Sequence, residues 1–228
     1  MKARLLEADP DLGRSLPSGT VTALSPQLVA EVTELPAGEW RPPGKEPEPG
    51  HLGYLLLDGL ILRRTGINNA RSGELICRGD LIRPWLADPI SFSDVEWRVM
   101  EPVRAAILDR RVAEGLCASP ELSAALLDRL TLRTRSLAIY AATENIRGLE
   151  DRLVALFWHL AERWGHREEG GVVVPIHLTH ETLSLLVGAR RPSVTTALGR
   201  LAQRGIVERR TAGGWVLHGL PPTVGDEL

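Results

Sequence analysis

Arg190 and Arg191 stand side by side, and Ser193, Thr195, Thr196 and Arg200 follow closely. A guanidinium is a planar fork of donors that pairs bidentately with a phosphate or with the O6 and N7 acceptors of guanine, and hydroxyls both donate and accept beside it. The pattern holds no nucleophile paired with a base. Its chemistry is recognition of an anionic, donor-and-acceptor surface. Arg209 and Arg210 lie just before a Gly-Gly pair and would add charge that fixes position without reading sequence. Only Lys2 and Lys45 are lysine, so arginine is this chain's ordinary cation and position carries the signal.

The elements that must hold these groups are written locally. Thr179 stands where a helix N-cap belongs, and Thr182 replaces the acid of a full capping box. Leu183, Leu186 and Val187 give one buried stripe. Gly188 marks a sharp stop, and Pro192 suits the first turn of a second helix, 192–204. Val194, Leu198 and Leu201 form the buried stripe of that helix, and Gly205 ends it. Two apolar runs, 206–210 and 215–218, flank Thr211-Ala212-Gly213-Gly214 and predict a hairpin. Two helices across a glycine turn followed by a hairpin describe a winged helix-turn-helix, whose dominant use is to seat the second helix in the DNA major groove.

The chain has 228 residues, room for one large or two small domains, with 43% hydrophobic residues and a net charge of −2, which excludes a generally polybasic nucleic-acid coat. Charge is uneven: from His166 to Gly219 seven arginines face four glutamates, so the remainder is acidic. Cys77 and Cys117 allow one disulfide at most and suit reduced thiols. No long apolar run and no leader-like segment are present, so the expected compartment is the cytoplasm, with no membrane partner.

Before residue 120 the sequence carries short strand-like runs broken by Gly and Pro. Asp58-Gly59 between apolar runs predicts a two-residue hairpin, and strands are expected at 75–77 and 103–108. Segment 41–50 reads as a solvated loop, and the turn spacing suggests an antiparallel sandwich or barrel. From Pro120 to Asn145 no internal Gly or Pro occurs, and Leu122, Leu126, Leu130, Leu137 and Ala141 predict a single helix. At about 25 residues it would reach roughly 37 Å, more than a small sheet domain covers. A coiled-coil-like seam with a second copy would bury it, although Arg133 and Thr134 interrupt the heptad; packing inside the monomer is the alternative. Gly148 breaks this helix, and Leu149, Leu153, Leu156, Phe157 and Leu160 mark another before a polar break at 165–171.

This order of parts resembles the CRP/FNR superfamily of bacterial transcription regulators, most closely over 179–218, less over 149–164 and least before 120. The resemblance implies an α+β fold: an antiparallel cyclic-nucleotide-binding-like jelly roll (1–119), a dimerisation helix (120–147) and a winged helix-turn-helix (149–228). It implies a homodimer reading a near-palindromic operator in double-stranded DNA, with RNA polymerase as a further candidate partner. Arg191 matches the arginine that pairs with guanine, and Thr179 and Ser193 match hydroxyls that contact phosphate. Pro192 replaces the family's acid and Thr196 its second arginine, so the operator should differ. With Arg190, Thr195, Arg200, Arg209 and Arg210 these residues form the expected DNA surface.

The family's phosphate cassette begins Gly-Glu and ends Arg-Ser-Ala. Here Gly79-Asp80 resembles the start, while the end falls near Ser91-Phe92-Ser93, without an arginine; Arg83 or Arg98 could stand in only if the alignment slips. A buried cyclic phosphate without a cation is poorly stabilised, so cyclic AMP is not the expected ligand. Gly79, Asp80, Arg83 and Trp85 mark the candidate pocket for an effector of unidentified chemistry, and Trp40, Trp85 and Trp97 could line it or form core. No cofactor is expected: two cysteines are too few for an iron–sulfur cluster, and Cys77 has no adjacent His to support haem ligation. Nor is an enzyme: no Walker loop, Gly-x-Ser-x-Gly elbow or His-Glu-x-x-His occurs, and His177 and His180-Glu181 read as residues around a helix start. The rival readings are a winged helix that docks protein and a regulator gated by an unidentified small molecule.

Overall fold

The computed structural model describes residues 1–44, 47–85, 93–211 and 213–222. The chain divides into two compact units, Met1–Ala70 with Glu74–Thr134, and Arg71–Gly73 with Arg135–Leu228. In chain order the first carries β1 (Lys2–Arg4), α1 (Leu5–Ala8), a 3-10 turn (Pro10–Gly13), α2 (Ser18–Leu24), β2 (Val29–Leu35), β3 (Gly38–Trp40), β4 (Gly53–Ile67), β5 (Ala70–Cys77), β6 (Leu81–Ile82), β7 (Asp94–Leu108), α3 (Arg110–Cys117) and the start of α4 (Pro120–Glu144). The second carries the rest of α4, then α5 (Leu149–Trp164), β8 (His166–Glu168), β9 (Gly171–Val174), α6 (His180–Leu186), α7 (Arg191–Gln203), β10 (Val207–Arg209) and β11 (Trp215–Leu217).

The sheet of the first unit is ordered β1-β2-β7-β4-β5, with β3 on β7 and β6 on β4. Alternation along β4 feeds two cores. Leu55 and Leu57 join Leu5, Leu12, Leu28, Leu108, Leu116 and Leu122, whereas Leu56 and Ile61 join Ile76, Trp97, Val99 and Val103. The predicted Asp58-Gly59 hairpin is not formed. β4 passes through it as one strand, and its register against β7 shifts on either side of Asp58, a bulge. Gly59 has φ +88°, and a Cβ there would strike the Pro102 carbonyl, so this glycine serves close backbone approach within a bent strand. Both apolar runs find their partner in β7, which a local hairpin signal could not reveal. Nor are strands the only elements before residue 120. In α3, Asp109 caps the first turn, its carboxylate accepting from the Val112 N–H at 2.8 Å, and Val112, Ala113 and Leu116 are buried.

The long helix is present, ending at Glu144 rather than 147. Its apolar residues separate onto two faces. Leu122 and Leu126 are buried in the first unit's own core, which assigns them within the monomer, whereas Leu127, Leu130 and Leu137 are exposed. Arg133, an interruption when read as heptad, makes a bidentate pair with Glu74 at 2.7 and 3.1 Å and donates to the Leu81 carbonyl at 3.0 Å. Arg63 reaches the same carboxylate at 2.6 Å.

In the second unit the expected polar break at 165–171 is a hairpin, β8 paired with β9, and it extends the wing into a sheet ordered β10-β11-β9-β8. Val173 and Val174 are buried while β8 is exposed throughout, so only one strand of that hairpin carries an apolar signal. The predicted wing hairpin is present as β10 on β11; its turn residue Ala212 lies outside the described residues.

Candidate nucleic-acid interface

Thr179 caps α6, its hydroxyl oxygen accepting the Thr182 N–H at 3.1 Å. The two hydroxyls are also bonded to one another at 3.0 Å, so Thr182 does supply a second polar group where the acid of a capping box would stand. After α6, Gly188 takes φ +62° and the Ala189 N–H bonds back to the Ser184 carbonyl at 2.9 Å. α7 ends the same way. Gly205 is at φ +62°, and the Ile206 and Gly205 amides return to the Leu201 and Ala202 carbonyls at 2.9 and 3.0 Å. Val194, Ala197, Leu198 and Leu201 bury one face of α7, one residue earlier in span than the sequence predicts. Under the wing, Phe157 packs on Trp215 with ring centroids 4.9 Å apart.

That packing leaves Arg190, Arg191, Pro192, Ser193, Thr195 and Thr196 exposed across the first turns of α7. Thr195 and Thr196 donate their hydroxyl protons back to the Arg191 and Pro192 carbonyls at 3.1 and 3.2 Å. Their outward oxygens are therefore acceptors. Arg209 is exposed on β10, and with His177, Arg210, Thr211 and Gly213 it lines an open cleft of about 430 Å³ at the wing.

Two predicted contacts are engaged elsewhere. Arg200 pairs with Glu150 in the first turn of α5 at 3.3 Å, and Arg204 takes the other oxygen of that carboxylate at 3.0 Å. Arg210 pairs with Glu168 at 3.0 Å, and His166 bonds the same oxygen at 3.0 Å. These bonds, first His166 and then Arg210, hold the Glu168 carboxyl below its usual range. Local sequence does not mark Glu150 or Glu168 as partners of Arg200 and Arg210, because those arginines lie 50 and 42 residues away.

One residue that the sequence assigns only to a helix start sits inside this surface. The His180 ring, at the start of α6, lies 2.9 Å from the Thr195 hydroxyl through Nδ1 and 6.5 Å between centroids from Trp215. Burial, and then the charges of Arg209 and Arg191, push its pKa down. A contact spanning 15 residues across a turn leaves no periodic signal.

The four residues marked for an effector are used by the protein itself. Asp80, buried, accepts the Cys77 N–H at 2.8 Å, and the Gly79 carbonyl accepts from Arg129 at 2.8 Å. Arg129 also pairs with the buried Asp9 at 2.9 Å. Arg83 lies over the Trp85 ring at 5.9 Å, and Trp85 is packed on His51 and Tyr54. Trp40 and Trp97 contact each other edge-on at 5.5 Å against the second core. The cassette's expected end at Ser91-Phe92 lies outside the described residues.

Residues 151–219 match the family model of the Crp-like helix-turn-helix domain. A curated relative, the CRP-like cAMP-activated global transcriptional regulator of Mycobacterium tuberculosis, is 30% identical over 164 residues, covering 70% of this chain and 73% of that protein. Among solved structures, a CRP/FNR-family transcriptional regulator from Thermus thermophilus superposes with a TM-score of 0.58 at 22% identity over 82% of this chain and 93% of its own. A CooA mutant from Carboxydothermus hydrogenoformans does so with 0.65 at 14% identity over 95% and 92%. The chain belongs to the CRP/FNR superfamily of DNA-binding transcription regulators.

Proposed function

We propose that the protein is a homodimeric regulator that reads a near-palindromic operator through α7, with Arg191 pairing a guanine edge. The observation that carries this reading is the pair Arg190-Arg191, exposed at the opening of α7 directly after the Gly188 turn. Arg190, Ser193 and Arg209 then hold phosphates, and Thr195 and Thr196 offer acceptors to amino groups of base edges. Thr179 presents the start of α6 to the backbone. Arg200 and Arg210 contribute only when they leave Glu150 and Glu168.

The domains follow the same reading: 1–119 as sensor, 120–147 as dimerisation helix, 149–228 as the DNA-binding part. The outward stripe of α4, with Leu127, Leu130 and Leu137 exposed at 63%, 41% and 38%, Thr134 between them and Ala141 one turn beyond, supports a seam with a second copy. The protein works in the cytoplasm of a bacterial cell, beside RNA polymerase, and needs no cyclic AMP. Occupation of the Gly79–Asp80 turn by Arg129 and the Cys77 amide favours that last point.

The test is selection of bound sites from random duplex DNA by the purified protein without added ligand. A near-palindrome with half-sites one helical turn apart is expected. Failure to enrich any sequence, with or without a metabolite extract, would overturn the reading.

A further inference from the structure

His180 belongs to no part of the expected DNA surface, yet it stands where three elements of that surface meet. The Thr195 hydroxyl has one proton, and it goes to the Arg191 carbonyl. A proton on Nδ1 is the arrangement that lets both bonds form at once, the hydroxyl donating to the carbonyl and accepting from the ring across the 2.9 Å contact. In the neutral ring that leaves Nε2 as the bare lone pair. The groups around the ring come from every packed element: Arg191 from α7, Arg209 from β10 and the Trp215 ring from β11, with Glu181 next to it on α6. Two guanidinium charges thus act on an imidazole that is already partly desolvated.

On the reading that α7 and the wing face duplex DNA, we infer that His180 is a proton-linked member of that interface, taking up a proton at Nε2 when a backbone phosphate settles on Arg209 and Arg191 engages a base edge. That phosphate offsets the Arg209 charge that opposes protonation and gives the imidazolium an anion of its own. The Nδ1 donor to Thr195 survives in both protonation states, so the geometry of α7 is kept while charge is added. In the free protein the imidazole is held below its ordinary range by burial first and by Arg209 and Arg191 second. The complex binds more protons than the free protein between these two pKa values. Affinity therefore rises as pH falls from the pKa of the complex to that of the free protein, and levels off beyond both. One proton per recognition helix limits the gain to about tenfold per pH unit for each half-site.

The test uses the full-length protein and its selected operator, followed by fluorescence anisotropy at fixed ionic strength from about pH 8 to about pH 5.5. The wild type is expected to gain about five- to tenfold in affinity over its steepest unit. His180→Asn, which keeps a donor where Nδ1 stands but takes no proton, should lose that slope. His177→Gln is measured alongside, because His177 is exposed on the same cleft with Arg209. A slope lost in His177→Gln and kept in His180→Asn overturns the assignment. Nuclear magnetic resonance titration of the wild-type His180 ring gives a second readout, independent of any variant's folding. Its pKa should rise on adding operator, and an unchanged value overturns the inference. Binding of the operator by the wild type with a flat pH profile defeats this inference alone; no binding of any duplex at any pH defeats the DNA reading beneath it.

Discussion

In the first unit, Arg63 and Arg133 converge on the carboxylate of Glu74, which is 5% exposed, and Arg129 meets that of Asp9, at 1%. In the second unit, Arg190, Arg191 and Arg209 stand on the outside of the winged helix. The same residue type is structural where a buried carboxylate holds it and presented where none does, and the carboxylates decide which. A guanidinium beside a buried acid is committed to the fold, because removing either partner strands a charge in low dielectric. A guanidinium on an exposed helix start has no such commitment and is available to an anion that arrives from solution.

Four variants probe that contrast, from the largest effect downward. Glu74→Ala leaves Arg63 and Arg133 facing each other without their acid, and should destabilise the first unit by about 3–5 kcal/mol in a urea titration. A cost below about 1 kcal/mol would show that these guanidiniums are solvated and the contrast is false. Arg191→Ala should leave the melting curve in place while weakening operator binding by about 1–3 kcal/mol and relaxing preference at one base pair of each half-site. Unchanged preference would remove Arg191 from base readout. Thr179→Ala removes the acceptor for the Thr182 amide and should cost the second unit about 1 kcal/mol, read as a shifted unfolding midpoint. Leu127→Gln combined with Leu137→Gln should change the stability of the isolated chain by less than about 0.5 kcal/mol, since both are exposed. In sedimentation the wild type is expected to run as a dimer and the same double variant to populate monomer. An unshifted dimer would place the seam elsewhere.

How far each unit is legible in the sequence follows from how local its signals are. Thr179, Gly188, Pro192 and Gly205 act on their own helices, and the stripe of Val194, Leu198 and Leu201 is a short repeat. The winged helix is therefore legible almost to the residue. The first unit is legible as sheet but not in its connections. Asp58-Gly59 gives the same local signal in a hairpin and in a bulge, and only β7 distinguishes them. Arg133 looks like a fault in a heptad because Glu74, its reason, lies 59 residues away. His180 is visible but reads only as part of a helix start, since its partner Thr195 belongs to the next helix.

Glu150 bridging Arg200 and Arg204 has a consequence for how this protein competes with sodium and potassium ions. Duplex DNA sheds its condensed counterions only to protein charges that reach the phosphates, at about 0.9 ion per phosphate neutralised. Arg200 and Arg204 carry Glu150, and Arg210 carries Glu168, as counterions already built into the chain. Three of the seven arginines between His166 and Gly219 thus add little to ion release. The operator complex should hold over a wider range of cellular ionic strength than the arginine count alone implies.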